Sequence, residues 1–271
     1  MADSGVDRLT AMFARARAED RAVLLPYLTA GLPDAESSVE IFAAMADAGA
    51  DGFEIGIPYS DPLMDGPTIM EAGERALASG MTVDRSLDVV SAVVERTGVP
   101  VLVMTYVNPV LHRGIDAFLG RVAEAGGAGV ILADLPVDEA DPFVASAEEH
   151  GLGMVLFVAP TTTEERLVKV ASMKPAFVYG VAEVGVTGER DTASTNTESL
   201  AEAVRSVTDV PLVFGVGIAS PDQAARAAAH GDGVIVGTAI VRRVLDAGAP
   251  ETAIEALTPF VRDLAAAVRR R

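Results

Sequence analysis

Eight short apolar runs recur along the chain, most of them separated by a helix-length segment of mixed polarity. They are Val23–Leu28, Gly52–Ile57, Val99–Met104, Gly129–Ala133, Met154–Val158, Ala176–Val181, Pro211–Val216 and Gly233–Val236. Each is continuous rather than alternating, the pattern of a strand buried on both faces of a parallel sheet. Between them lie amphipathic stretches with helix-start signals at Asp34-Ala35-Glu36, Asp116, Thr163-Glu164-Glu165 and Ser220-Pro221-Asp222. Strand–helix alternation repeated this often predicts an α/β fold of the closed kind, a (β/α)8 TIM barrel, rather than a doubly wound sheet with a switch point. The 271 residues suit one barrel domain over 1–271, since such barrels typically run to about 250 residues. Two departures from an ideal barrel are expected. Val6 to Ala18 reads as an extra N-terminal helix that caps the barrel floor, and the second βα connection, Pro58 to Gly98, is extended, with room for a loop and two helices.

Composition narrows the chemistry. Half the residues are hydrophobic, enough for a large core, yet no apolar run approaches the ~18 residues of a membrane span. Met1 to Asp20 mixes charges of both signs with no apolar block, unlike a signal peptide, so the chain reads as soluble and cytoplasmic. With no cysteine, disulfides, thiolate nucleophiles and thiolate metal sites are excluded together. A net charge of −18 argues against nucleic acid, which is bound through Lys and Arg on its phosphates. A small anionic ligand remains open where backbone donors offset that field. The two lysines, Lys169 and Lys174, lie between the fifth and sixth runs and not at the C-terminal end of a strand, where barrels keep their chemistry. This disfavours a Schiff-base mechanism. His112, His150 and His230 stand apart with no ligand spacing, each reading as a surface residue, so a metal-dependent mechanism has little support.

The segment from Gly52 to Pro67 carries the densest chemical signal. Glu54 interrupts a buried-strand pattern, and Asp61 and Asp65 follow on a proline-punctuated loop. A carboxylate inside a strand destabilises the fold unless it is paired, hydrogen-bonded or protonated. Two carboxylates in such different environments can hold different protonation states, as acid–base work near neutral pH requires. The plain alternative is a structural Glu54 held by backbone donors, with Asp61 and Asp65 as turn residues.

Glycine clusters end the last two strands: Phe214-Gly215-Val216-Gly217-Ile218 and Val236-Gly237-Thr238-Ala239-Ile240. Glycine lets a ligand approach backbone N–H groups, and Gly237-Thr238 also opens a helix whose amides and dipole suit an anion. Loops after strands seven and eight commonly hold phosphate in barrels, and amides need no lysine. After strand six, the chain enters a long Gly- and Thr-containing loop from Ala182 through Arg190, with regular structure expected to resume only near Thr195, and it reads either as a lid or as a plain connection. Tyr27, Tyr106 and Tyr179, three of the four tyrosines, fall at or near strand ends and suggest an aromatic pocket, core packing being the alternative.

Taken in order, these phrases resemble one family. Pro26-Tyr27-Leu28-Thr29-Ala30-Gly31, Phe53-Glu54-Ile55-Gly56, Ser60-Asp61-Pro62-Leu63-Met64-Asp65-Gly66-Pro67, Ala133-Asp134-Leu135-Pro136, Gly185-Val186-Thr187-Gly188 and both glycine clusters are similar to those of the tryptophan synthase alpha subunit. The resemblance covers nearly the whole chain. It implies a cofactor-independent lyase that splits indole-3-glycerol phosphate into indole and glyceraldehyde 3-phosphate in tryptophan biosynthesis. Glu54 matches the family's acid–base glutamate, and Asp65 its indole-facing aspartate. Tyr179 matches a tyrosine beside that glutamate, and Tyr27, Tyr106 and Val216 would line the indole pocket. Thr187 and Gly188 belong to the closing loop, and Gly188, Gly217, Gly237 and Thr238 to the phosphate site. The implied partner is a pyridoxal-phosphate-dependent beta subunit in an α2β2 heterotetramer, touched by Asp61. One departure is Ala182-Glu183, where the family often has Ser-Arg, a charge reversal on the lid. Two other readings stay open at this point: a standalone phosphate-binding barrel lyase or isomerase, and a non-catalytic subunit that activates a partner.

Overall fold

The computed structural model describes residues 3–181, 190–215 and 217–269, of which 190–195 are described by backbone alone. The strands are β1 (Val23–Thr29), β2 (Phe53–Gly56), β3 (Val101–Thr105), β4 (Gly129–Leu132), β5 (Gly153–Val158), β6 (Phe177–Gly180), β7 (Leu212–Phe214) and β8 (Gly233–Val236). They pair in chain order, all parallel, and β8 returns to β1 to close the barrel. The helices before β4 are α1 (Gly5–Ala18), α2 (Ala35–Asp47), α3 (Pro67–Ala78), α4 (Val83–Thr97), α5 (Val107–Arg113) and α6 (Ile115–Glu124). Those after it are α7 (Asp141–Glu149), α8 (Glu164–Ser172), α9 (Arg190–Arg205), α10 (Pro221–His230), α11 (Thr238–Ala247) and α12 (Pro250–Ala267). Every strand residue is buried except Met104 and Phe157, as double-sided cover by helices demands.

Three of the anticipated helix starts are true caps. Asp34, Thr163 and Ser220 each accept the backbone N–H three residues on, at 2.9, 3.4 and 3.3 Å. Asp116 is not a cap. Gly114 takes that position on α6, and Asp116 sits in the first turn with its carboxylate 2.9 Å from His150 Nε2. The extended second connection holds α3 and α4, as its length required. The short helix α5 and the double helix α11–α12 go beyond the anticipated alternation, and α9 starts at Arg190, ahead of the resumption anticipated near Thr195.

The N-terminal helix closes the floor. Gly52 precedes β2 and Gly153 opens β5; Met12 of α1, with Pro100 and Leu25, borders the space a Cβ would take at Gly52, and Leu9 of α1, with Ala176, borders that at Gly153. Phe13 meets Phe177 edge-on at a centroid distance of 5.9 Å. Leu9 and Met12 are fully buried, worth roughly 1.5–3 kcal/mol each in transfer terms. Among the described residues, no helix is long and apolar enough to cross a membrane.

Candidate active site

The C-terminal ends of the strands open into a cleft of about 670 Å³. The pleat decides which side chains reach it. Residues two apart on a strand share a face, so Met104, Phe157, Tyr179 and Ile235 supply an apolar wall, and Glu54 rises among them.

Glu54 is 4% exposed, and its Oε2 has no hydrogen-bond partner among the described residues. Burial pushes its carboxyl up to about 8, and the nearby charge of Asp65 adds to the rise. Glu54 therefore stands protonated at neutral pH. The alternative of a structural carboxylate satisfied by backbone donors does not hold for this orphaned oxygen.

Asp65 reaches the same cleft from the loop after β2. Tight turns shape that loop: Leu63 N–H donates to Asp61 O, and Asp65 N–H to Pro62 O, both at 3.0 Å. Gly66 caps α3 and Pro67 opens it, so Asp65 sits at the positive end of that helix. Partial burial raises the Asp65 pKa, and the Tyr106 hydroxyl, by hydrogen bonding, opposes the rise.

Tyr106 stands beside Asp65 at the edge of the cleft rather than among the residues that line it. The chain leaves β3 at Thr105 and enters α5 through Tyr106 as its N-cap, so the ring turns behind the acidic loop. There its hydroxyl accepts the N–H of Met64 at 3.1 Å. The Tyr59 ring packs on it with centroids 5.2 Å apart, and Asn108 Nδ2 donates to the Tyr59 hydroxyl at 2.8 Å. Asp134 at the end of β4 accepts the first N–H of α5, from Val107, at 2.7 Å. Sequence reasoning gave Tyr59, Asn108 and Asp134 no role; the acidic loop is fastened by them.

Tyr27 and Tyr179 do line the cleft and are buried. The Tyr27 hydroxyl lies 3.3 Å from Thr29 Oγ1 and fills the space above Gly56, as the Tyr179 hydroxyl does above Gly215. Burial and the neighbouring carboxylates raise both phenols, which stay neutral. The Tyr179 ring packs on Phe157 at 4.8 Å. Phe157, Met64, Ile69 and Ile235 are lining residues that sequence reasoning missed. For Phe157 a signal existed, because it shares the pleat face of Gly153.

The opposite wall comes from Gly215, Gly217, Ile218, Ala219, Gly237 and Thr238. Gly217 has φ +77°, a conformation that disfavours any side chain. Gly237 caps α11 with no side-chain bond, and the helix's own bonds begin at Ile240 N–H to Gly237 O. The N–H groups of Thr238 and Ala239 thus have no acceptor within the helix. By contrast, α10 closes its own end, with Ser220 accepting from Gln223 N–H and Gln223 Oε1 from Ala219 N–H. No Lys or Arg among the described residues lines the cleft. Lys169 pairs with Asp138 at 3.2 Å on α8, away from any strand end. Asp61 is exposed on the outer loop and does not line the cleft. Thr187, Gly188, Val216 and the Ala182-Glu183 pair lie outside the described residues.

A buried protonated carboxyl, a second carboxylate opposite an apolar slot, and open helix amides suit a substrate with an aromatic ring at one end and an anion at the other. Comparison with known proteins agrees. A family profile described as "Tryptophan synthase alpha chain" matches residues 13–269. The tryptophan synthase alpha chain of Thermobifida fusca is 44% identical over 259 residues, covering 94% of this chain and 96% of that one. That of Mycolicibacterium paratuberculosis is 44% identical over 268 residues, covering 99% and 97%. Among solved structures, Mycobacterium tuberculosis tryptophan synthase superposes with TM-score 0.87 at 42% identity, over 97% of this chain and 99% of that one. The alpha subunit from Legionella pneumophila gives 0.88 at 32% identity, over 96% and 98%. Matched along almost its entire length in both sequence and fold, this chain belongs to the tryptophan synthase alpha chain family.

Proposed function

We propose that this chain cleaves indole-3-glycerol phosphate to indole and glyceraldehyde 3-phosphate, with Glu54 as the acid–base group and Asp65 as the charge that steadies the ring. Protonated Glu54 gives its proton to indole C3, which places positive charge on the ring nitrogen. Ionised Asp65, facing that N–H, stabilises the cation, a charge present mainly in the transition state and intermediate. The Glu54 carboxylate so formed takes the proton of the hydroxyl on the adjacent carbon. The carbonyl forms, the bond to C3 breaks, and its electron pair restores the aromatic ring. Glu54 ends as it began, and no cofactor takes part. The phosphate rests on the amides of α11 and the loop at Gly217, with the Thr238 hydroxyl adding a donor, and the ring lies among Tyr27, Phe157 and Tyr179. By resemblance, Val216, Thr187 and Gly188 complete this site.

One observation carries the assignment: a buried Glu54 with an unpartnered oxygen, lining the same cleft as Asp65. The test is release of indole by the purified chain. Glu54→Gln, which fills the same space but exchanges no proton, is expected to cut turnover by roughly 10²–10⁴-fold. Near-native turnover by that variant would overturn the assignment, and a wild-type chain that never cleaves this substrate would favour another phosphate-binding barrel activity.

The rim supports a partner. Leu63 and Met64 beside the cleft are 81% and 65% exposed, apolar surface of the kind that marks an interaction site. The occupant we infer is a beta subunit in an α2β2 assembly, with Asp61 contacting it and the indole passing across. Adding a cognate beta subunit should accelerate cleavage, and Asp61→Ala should reduce that acceleration more than the basal rate. No complex on size exclusion and no change in rate at saturating partner would defeat this reading.

A further inference from the structure

The two ends of the cleft are also joined from outside. Arg242, one turn beyond Thr238 on α11, reaches across to α3: its Nη2 donates to Thr68 Oγ1 at 2.7 Å and its Nη1 to Glu71 Oε2 at 3.2 Å. Glu71 Oε1 accepts from Arg75 Nη2 at 2.7 Å, which fixes the receiving carboxylate. Asp246 lies 3.9 Å from the same Nη1 on the far side. Thr68 is three residues past Asp65, in the first turn of the helix that Asp65 leads into. A single guanidinium thus ties the start of α3 to a point one turn from the amides proposed to hold phosphate.

We propose that Arg242 is a positioning residue that sets the separation between Asp65 and the phosphate end of the cleft, so that phosphate seating is felt at Asp65. This rests on the site assignment above. The fully buried residues of α3 are Ala72, Gly73 and Ala76, all small, and Ile69 is its one partly buried apolar side chain packed on the core, so apolar interlock alone fixes the helix weakly along its axis. The forked guanidinium fixes direction as well as distance. With the Arg242 side chain 43% exposed, the ion pair adds little to stability. Its effect is on geometry, and misplacement of a reacting group by about 1 Å can cost 10²-fold in rate.

The test uses the full chain as wild type, Arg242→Met, Arg242→Lys, Thr68→Val and the Arg242→Met/Thr68→Val double variant. Arg242→Met and Thr68→Val should each lower kcat/KM for indole-3-glycerol phosphate about tenfold with little change in Tm, and the double variant should be no worse than either. Arg242→Lys, which keeps the charge and donors but lacks the rigid planar fork, should recover part of the loss. Independently of turnover, saturating inorganic phosphate should slow hydrogen exchange at the Ile69 and Met70 amides, which bond to Gly66 O, in wild type and not in Arg242→Met. Equal phosphate-dependent protection in both proteins, or none in wild type, overturns the strut. A wild-type chain that shows the protection but no cleavage overturns the activity and leaves the strut standing.

Discussion

The hydroxyl of Tyr179 occupies the space that a side chain on Gly215 would need. Ring atoms crowd the same point, so even one methyl group forces Tyr179 away from Phe157 and from the Glu54 side of the cleft. Gly215→Ala should therefore lower kcat/KM and cost about 1–3 kcal/mol of stability through overpacking. Adding Tyr179→Leu should relieve the strain, so that the pair is less destabilised than the sum of the singles in a urea double-mutant cycle.

Glu54 should leave a signature in stability as well as in rate. Its folded pKa of about 8 lies above its ordinary value of 4.5. Between those values the folded chain holds a proton that the unfolded chain has released, so wild-type stability falls as pH rises through that window. In Glu54→Gln this contribution is missing. Its stability relative to wild type should grow from about pH 4.5 to pH 8 and then level off, by at most about 1.4 kcal/mol per pH unit. Urea denaturation of both proteins at several pH values measures it. In the wild type, turnover should also decline above about pH 8, as the proton that Glu54 must give is lost.

Tyr106 stands beside Asp65 and holds the acidic loop through Met64. Removing its hydroxyl in Tyr106→Phe takes away a hydrogen bond that favours ionised Asp65, so the Asp65 pKa should rise and the acid limb of the pH–rate profile should move to higher pH. An Asp65→Asn chain has no such limb to move, and its rate should be severely reduced at every pH, by loss of charge rather than of shape. An acid limb unchanged in Tyr106→Phe would show that the hydroxyl acts on Met64 alone.

At the proposed phosphate end, Gly217→Val places a β-branched side chain at φ +77°, where the phosphate is proposed to rest. Inhibition by inorganic phosphate should weaken by tenfold or more on steric grounds. Thr238→Ala removes one hydroxyl but no amide, so the loss should be only a few-fold. Equal losses for the two variants would mean that the hydroxyl, not the backbone, dominates.

Most of the barrel was legible because a strand buried on both faces has to be written as an uninterrupted apolar run, and all eight runs match their strands within two residues at each end. Glu54 was legible for the same reason, as a charge where none belongs. The fastening of the acidic loop was not. Tyr59 and Asn108 lie 49 residues apart in irregular or newly begun helical backbone, where no periodicity relates them. The contact of Tyr106 with the acidic loop was not legible either, because strand parity ends at Thr105 and nothing in the run announced that a helix would begin after the next residue. The Arg242 contact with Thr68 spans 174 residues and depends on how α11 and α3 happen to lie side by side.

The floor plug formed by Leu9 and Met12 of α1 has a consequence for traffic. With its interior packed by strand side chains and its floor covered by α1, the barrel is a cup rather than a pipe, and whatever enters must leave by the way it came. Substrate and both products of the proposed reaction would therefore share one doorway, beside the exposed Leu63 and Met64. A partner seated on that doorway would control arrivals and departures alike, and an uncharged aromatic product would have nowhere to go except into the protein that covers it.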